Sequence, residues 1–188
     1  MKRKIGVFLI LLGTVLNVKA QAPEPNPIQT GVPLLLILSD ARASGQGDVG
    51  VATTSDANSI YHNSAKMAFN TSEYSVGVNY TPWLQSLVDG LFVGGGSIIN
   101  RIDERSAWGA DIRYFSLGDI DLYDDGGNST GSANPYEFSA SGSYALKLSD
   151  YFSMGVALRY MRSDFKITGT DQNLNTVNGF GVDVSGFY

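Results

Sequence analysis

His62 is the one histidine of the chain, and Asp56, Asn63 and Ser64 lie close to it in sequence. A hydroxyl, an imidazole and a carboxylate are the parts of a nucleophile activated by a general base. Such a site is made by side chains converging in space, which adjacency along the chain does not provide. The spacing therefore reads as a histidine in a packed loop. Upstream, Gly45, Gly47 and Gly50 invite comparison with a phosphate-cradling loop. That loop follows a strand and ends in a Lys-Ser/Thr pair; neither is present, and the glycines read as sites of tight turning or close backbone approach. Asp124, Asp125 and Asn128 offer oxygen ligands suited to calcium, but without the fixed spacing and closing glutamate of an EF-hand. Residues 124–135, DDGGNSTGSANP, read instead as a solvated loop too polar to fold alone. The chain has no cysteine, so thiolate metal sites and disulfides are excluded. No catalytic residue, metal site or cofactor is expected.

The elements that would position any site are strands. Over residues 136–148, Tyr136, Phe138, Ala140, Gly142, Tyr144, Leu146 and Leu148 share one face, and Glu137, Ser139, Ser141, Ser143, Ala145 and Lys147 the other. After Ser149-Asp150 the alternation resumes, with Phe152, Met154, Val156, Leu158 and Tyr160 opposite Ser153, Gly155, Ala157 and Arg159. A period of two is that of a β-strand. Soluble strands run to about five or six residues and membrane-crossing ones to about nine to eleven, so the thirteen positions of the first run predict a membrane hairpin. Residues 73–80 place Tyr74, Val76, Val78 and Tyr80 outward and Ser75, Gly77 and Asn79 inward. Residues 91–99 carry Gly94, Gly95 and Gly96, which leave the facing ambiguous. Residues 106–117 set Trp108, Ala110, Ile112 and Tyr114 against Asp111 and Arg113. Residues 180–188 set Phe180, Val182, Val184 and Tyr188 against Gly181, Asp183, Ser185 and Phe187. Aromatics at both ends of the hairpin suit the girdles of a membrane barrel. The fold class expected is all-β, a transmembrane outer-membrane β-barrel.

Lys2, Arg3 and Lys4 precede an apolar run over 5–16, and Val18-Lys19-Ala20 supplies small residues at a cleavage position, so residues 1–20 read as a secretory signal. Residues 21–31, with Pro23, Pro25 and Pro27, read as a flexible leader. Residues 32–70 read as a plug segment and 71–188 as the first part of a barrel. The signal holds four of the 13 basic residues and none of the 18 acidic ones, which leaves nine against eighteen. That balance excludes a nucleic-acid partner, whose phosphates need clustered Lys and Arg. Short turns in such barrels face the periplasm and long loops face outward. Ser149-Asp150 and 100–105 then fall on the periplasmic side with the plug segment and Tyr188, and 81–90, 124–135 and 169–178 on the outer side.

Asp40-Ala41-Arg42-Ala43, the following glycines, Asp56-Ala57-Asn58-Ser59 and Asn63-Ser64-Ala65-Lys66 resemble the opening of barrels related to the FadL fatty-acid channel. Tyr80-Thr81-Pro82-Trp83-Leu84, Arg113 to Gly118, Tyr144-Ala145 with Lys147 to Asp150, and Arg159-Tyr160 with Arg162-Ser163-Asp164 resemble, in order and spacing, the PorV family of the Bacteroidetes type IX secretion system. The resemblance runs from about Pro33 to the last residue. Ser64 departs from it, standing where the family's plug motif has proline after asparagine. The resemblance implies a barrel of about fourteen strands, and six cannot close one, the smallest bacterial form having eight. The chain is therefore expected to be an N-terminal part of a longer barrel, with a complete eight-stranded protein ending on the aromatic Tyr188 as the alternative. It further implies a non-enzymatic component that takes cargo, by a C-terminal signal domain, from the outer-membrane translocon to a surface sortase-like attachment complex. The FadL relationship implies the alternative, a channel for hydrophobic compounds, although Ser139, Ser141, Ser143, Asp111 and Arg113 make a poor apolar lumen. Outer-membrane lipid is the expected surrounding. Trp83, Leu84 and Leu87 in the first outer loop are the expected apolar anchors for a protein partner, with lipid-interface marking as the competing role of Trp83.

Overall fold

The computed structural model describes residues 32–37, 40–84, 89–123, 126–165 and 176–188. The expected signal and leader lie outside them. Six strands form one antiparallel sheet: β1 (Tyr74–Pro82), β2 (Leu91–Arg101), β3 (Ser106–Leu117), β6 (Tyr136–Lys147), β7 (Ser153–Asp164) and β8 (Val177–Phe187), in that order across the sheet. β4 (Ile120–Tyr123) and β5 (Ser129–Ala133) form a separate two-stranded ribbon between β3 and β6. No helix among the described residues is long and apolar enough to cross a membrane.

Register turns the alternation of each strand into continuous rows. Val78, Gly96, Ile112, Ala140, Tyr160 and Phe180 pair in sequence across all six strands on one face. Gly77 belongs to the opposite face and leads, through Ser97, Asp111, Ser141 and Arg159, to Gly181. The first face is apolar and exposed, Val78 by 83%, Phe180 by 76% and Val182 by 71%. The second is polar and buried, with Glu137, Ser139 and Ser153 fully covered and Asp111 and Arg113 nearly so. This inverts the arrangement of a water-soluble protein, in which Lys, Glu, Arg and Asp are almost never fully buried unless paired. The register also assigns the three glycines of β2: Gly94 and Gly96 lie outward between the side chains of β1 and β3, and Gly95 lies inward beneath Tyr61.

Two expectations are corrected. Residues 129–133, read as part of a solvated loop, form β5. Their own propensity is weak, but β3 and β6 pair from end to end and Leu117 N donates to Pro135 O at 3.1 Å, so the two ends of the excursion are already held together. Ladder formation then needs little further chain closure. Strand β8 also begins earlier than expected, at Val177, within residues assigned to the third outer loop.

The N-terminal segment covers the polar face. It comprises a 3-10 turn at Pro33–Leu36, short helices at Ala41–Gly45 and Ser59–His62, and a 3-10 helix at Ser64–Phe69. Ile60, Met67 and Ala68 pack on Ile99, Ala107 and Ala145 at the end of the short turns. Leu34 packs on Val93 and Phe115 at the end of the long loops. The segment thus runs the length of the wall and is not confined to the turn end.

Candidate functional site

The contact between the N-terminal segment and the wall is built from residues that serve both. Asn63 is extended (φ −158°, ψ 103°), and its Oδ1 accepts the N–H of Ala65 at 3.0 Å, capping the 3-10 helix. Its Nδ2 donates to Gly186 O on β8 at 3.0 Å. Ser64 then occupies the first helical position after an extended residue, which is the geometry proline favours. Serine is accepted in that turn, and its Oγ lies 2.8 Å from Ser185 Oγ. Ala65 N also donates to Ser185 Oγ at 3.0 Å, and Ser153 Oγ donates to Ala65 O at 2.7 Å. This close approach requires Gly155, because a Cβ there would lie 2.6 Å from both Ala65 N and Ser64 Oγ. At the other end Leu34 N donates to Glu137 Oε2 at 2.6 Å, and Ser163 Oγ to Glu137 Oε1 at 2.9 Å.

Charged groups are distributed along the interface. Lys66 is buried and donates from Nζ to Gly50 O at 2.6 Å and Thr53 Oγ1 at 2.9 Å. Burial away from water holds its ammonium below the ordinary lysine pKa, the nearby Asp56 opposing the shift. On the wall, Ser141 Oγ donates to Asp111 Oδ2, Arg113 Nε lies 3.9 Å from Asp111 Oδ1, and Arg159 Nη2 donates to Asp183 Oδ2 at 3.0 Å. The Arg113 guanidinium sits 5.2 Å from the centre of the Tyr61 ring. Between the segment and strands β7 and β8 lies a cavity of about 300 Å³ bordered by Tyr61, His62, Arg159 and Asp183.

The nucleophile and base considered from sequence are not assembled. His62 Nε2 lies 3.2 Å from Asp40 Oδ2, with both side chains nearly buried, while Ser64 is turned to Ser185 and Asp56 binds Arg42 at 2.7 Å. Asp40 also accepts from Arg42 N at 3.0 Å and Asn58 Nδ2 at 3.1 Å, so His62 belongs to a structural network whose central carboxylate is 22 residues upstream. Gly50 packs directly on the imidazole, which gives the glycine cluster its steric role. Asp124 and Asp125 lie outside the described residues, among which no group of three His, Cys, Asp or Glu could hold a metal.

The opposite, apolar face carries an aromatic ladder at the long-loop end. Ring centres are 5.4 Å apart for Tyr80 and Phe92, 5.9 Å for Phe92 and Tyr114, and 5.5 Å for Tyr114 and Tyr136, with Tyr160 and Phe180 at 5.3 Å on the last two strands. Tyr74, Trp108 and Tyr144 mark the turn end. On β1 the two levels are six residues apart, about 20 Å along a strand, near the ~25 Å apolar band of outer-membrane barrels. Trp83 and Leu84, just past the ladder at the end of β1, are exposed. Trp83 N is anchored to Leu91 O at 3.0 Å, and Leu84 adopts φ 45°. Leu87 lies outside the described residues.

A family model described as type IX secretion system protein PorV matches residues 19–188. The chain belongs to the PorV family. Membership makes it an outer-membrane-associated component of type IX secretion. The PorV match runs through the N-terminal segment and every strand of the sheet. A search of curated proteins found no match.

Proposed function

We propose that this protein is a non-enzymatic, membrane-spanning carrier: it binds cargo bearing a C-terminal signal domain and moves it from the outer-membrane translocon to the surface sortase-like attachment complex. The observation that carries the reading, beside PorV membership, is the inversion of the sheet, apolar toward the surroundings and charged toward the interior. Such a wall is stable where hydrocarbon meets the exposed face. In that setting unpaired N–H and C=O groups on β1 and β8 would each cost several kcal/mol. The reading therefore includes further strands pairing with both margins, on the scale of the fourteen-stranded FadL-like barrel. The turns at 102–105 and 148–152 then face the periplasm, and the β4–β5 ribbon faces outward.

The N-terminal segment acts as a plug. Its polar contacts with Glu137, Ser153, Ser185 and Gly186 hold it against the wall from one end to the other. A polar, charge-lined interior favours a carrier that works by its outer surface over a channel for hydrophobic compounds. Trp83, Leu84 and Leu87 form the apolar anchor of the docking surface. Deleting the gene should leave signal-bearing cargo unprocessed in the periplasm, and normal surface attachment of that cargo in the deletion strain would refute the role. Saturable uptake of a labelled fatty acid into vesicles carrying the full-length protein, with no effect on secretion, would transfer the assignment to the channel.

A further inference from the structure

One cavity is on the outside of the wall, at the turn end. It measures about 530 Å³ and is bordered on one side by Glu104, Arg105 and Ser106 and on the other by Tyr144, Leu146 and Leu148. Trp108 pairs with Tyr144 in the register of β3 and β6, and its Nε1 donates to Asn100 Oδ1 at 2.9 Å, so these rings form the aromatic level of this end. Leu146 and Leu148 lie beyond that level, are exposed, and carry apolar surface up to the charged turn. An apolar strip that passes the aromatic level and ends on fixed charges is shaped for an amphiphile.

The turn is rigid. Asp103 Oδ1 accepts the N–H groups of Arg105 at 2.7 Å and Ser106 at 2.8 Å, and Lys147 N donates to Arg105 O at 2.7 Å. The bonds from Arg105 and Ser106 hold the Asp103 carboxyl below its ordinary pKa. Asp103 is thereby committed to the turn, and Lys147, which also borders the cavity, holds its ammonium 4.8 Å from the centre of the Phe69 ring. Glu104 and Arg105 are exposed, and among the described residues neither side chain makes a hydrogen bond or ion pair. One exposed anion and one exposed cation, adjacent on a fixed turn and facing an apolar strip, match a headgroup that carries both a phosphate and a primary ammonium.

We infer that this cavity binds one zwitterionic phospholipid of the phosphatidylethanolamine type, with Arg105 on the phosphate, Glu104 on the ammonium, and Tyr144, Leu146 and Leu148 along the start of an acyl chain. The site rests on the reading that the apolar face meets lipid. Charge-assisted hydrogen bonds to the ammonium are absent from an anionic phosphatidylglycerol, and their loss corresponds to about a tenfold preference.

The test is native mass spectrometry of the full-length protein, released from micelles titrated with phosphatidylethanolamine or phosphatidylglycerol, beside an insertion assay in liposomes. The wild type should retain one phosphatidylethanolamine about tenfold more tightly than phosphatidylglycerol. Glu104→Gln should erase the preference, Arg105→Gln should weaken retention of both lipids, and Asp121→Asn, at the opposite end, should change neither. Insertion with equal retention of the two lipids, or a preference that survives Glu104→Gln, overturns the headgroup site while the membrane reading stands. Failure of the wild type to insert overturns both.

Discussion

Replacing Gly155 by alanine should free the plug without unfolding the wall. The new Cβ would stand 2.6 Å from Ala65 N and Ser64 Oγ and 2.9 Å from Ser185 Oγ. Ordinary contact begins at 3.4 Å, so the 3-10 helix must retreat by about 0.8 Å. One of the crowded atoms is backbone, so a side-chain rotation cannot relieve the overlap. The bonds Ser64–Ser185, Ala65–Ser185 and Ser153–Ala65, now 2.7 to 3.0 Å, would stretch past hydrogen-bonding distance. At about 1 kcal/mol each this amounts to about 3 kcal/mol, or roughly two orders of magnitude in the ratio of docked to undocked plug. The wall loses nothing comparable, since alanine keeps every ladder bond of β7. Limited proteolysis of residues 40–70, read beside the heat-modifiable mobility of the barrel, separates the two effects: cleavage should rise about a hundredfold while barrel mobility stays unchanged. Gly142→Ala, on the outer face with nothing within 4 Å of its Cβ, is the matched control. Equal protection of the plug in wild type and Gly155→Ala would refute the docking argument.

Three further outcomes are expected. Because burial lowers the Lys66 pKa, the undocked chain holds a proton that the docked chain has released, so protection of the plug should increase as pH rises through the docked pKa toward the ordinary 10.5; proteolysis across that range should show the rise in wild type and not in Lys66→Met, and a rise of equal size in both would exclude Lys66 as its source. Val78→Arg should destabilise the protein in vesicles by about 2–4 kcal/mol if Val78 faces hydrocarbon, whereas a change within about 0.5 kcal/mol, usual for a water-facing site, would contradict the membrane reading; urea unfolding in vesicles decides. Trp83→Ala with Leu84→Ala should weaken capture of an isolated cargo signal domain by about tenfold or more at unchanged folding, and capture at wild-type level would return Trp83 to the role of interface marker.

The parts of the fold that were legible in sequence are those where the two faces of a strand meet different surroundings. Tyr136 to Lys147 alternates because one side is exposed and the other lies under the plug or within the wall, and a single-residue slip would reverse every side chain. Alternation fails as a guide where side chains are small. The three consecutive glycines of β2 have no face of their own, and only pairing assigns them: Gly94 with Tyr80 and Tyr114, Gly95 with Asn79 and Arg113, and Gly96 with Val78 and Ile112. β5, built from Ser, Thr, Gly and Ala, is a strand because its ends are clamped, a condition written in β3 and β6 and not in its own residues.

The same reasoning explains why the site was partly hidden. Asp40–His62, Lys66–Gly50 and Leu34–Glu137 join residues 22, 16 and 103 positions apart, and no local spacing announces such pairs. Yet a trace of them was present. Gly155 and Gly109 interrupt the inward faces of strands whose other inward positions carry side chains, and an interior glycine in a strand marks a place where another backbone or side chain comes close. At Gly155 that neighbour is the backbone of Ala65, and at Gly109 it is Met67, whose Sδ would stand 2.7 Å from an added Cβ. Both neighbours belong to one 3-10 helix, Ser64–Phe69. Inward glycines on separate strands therefore outline a single docked element, and the inner side of the wall is shaped to it.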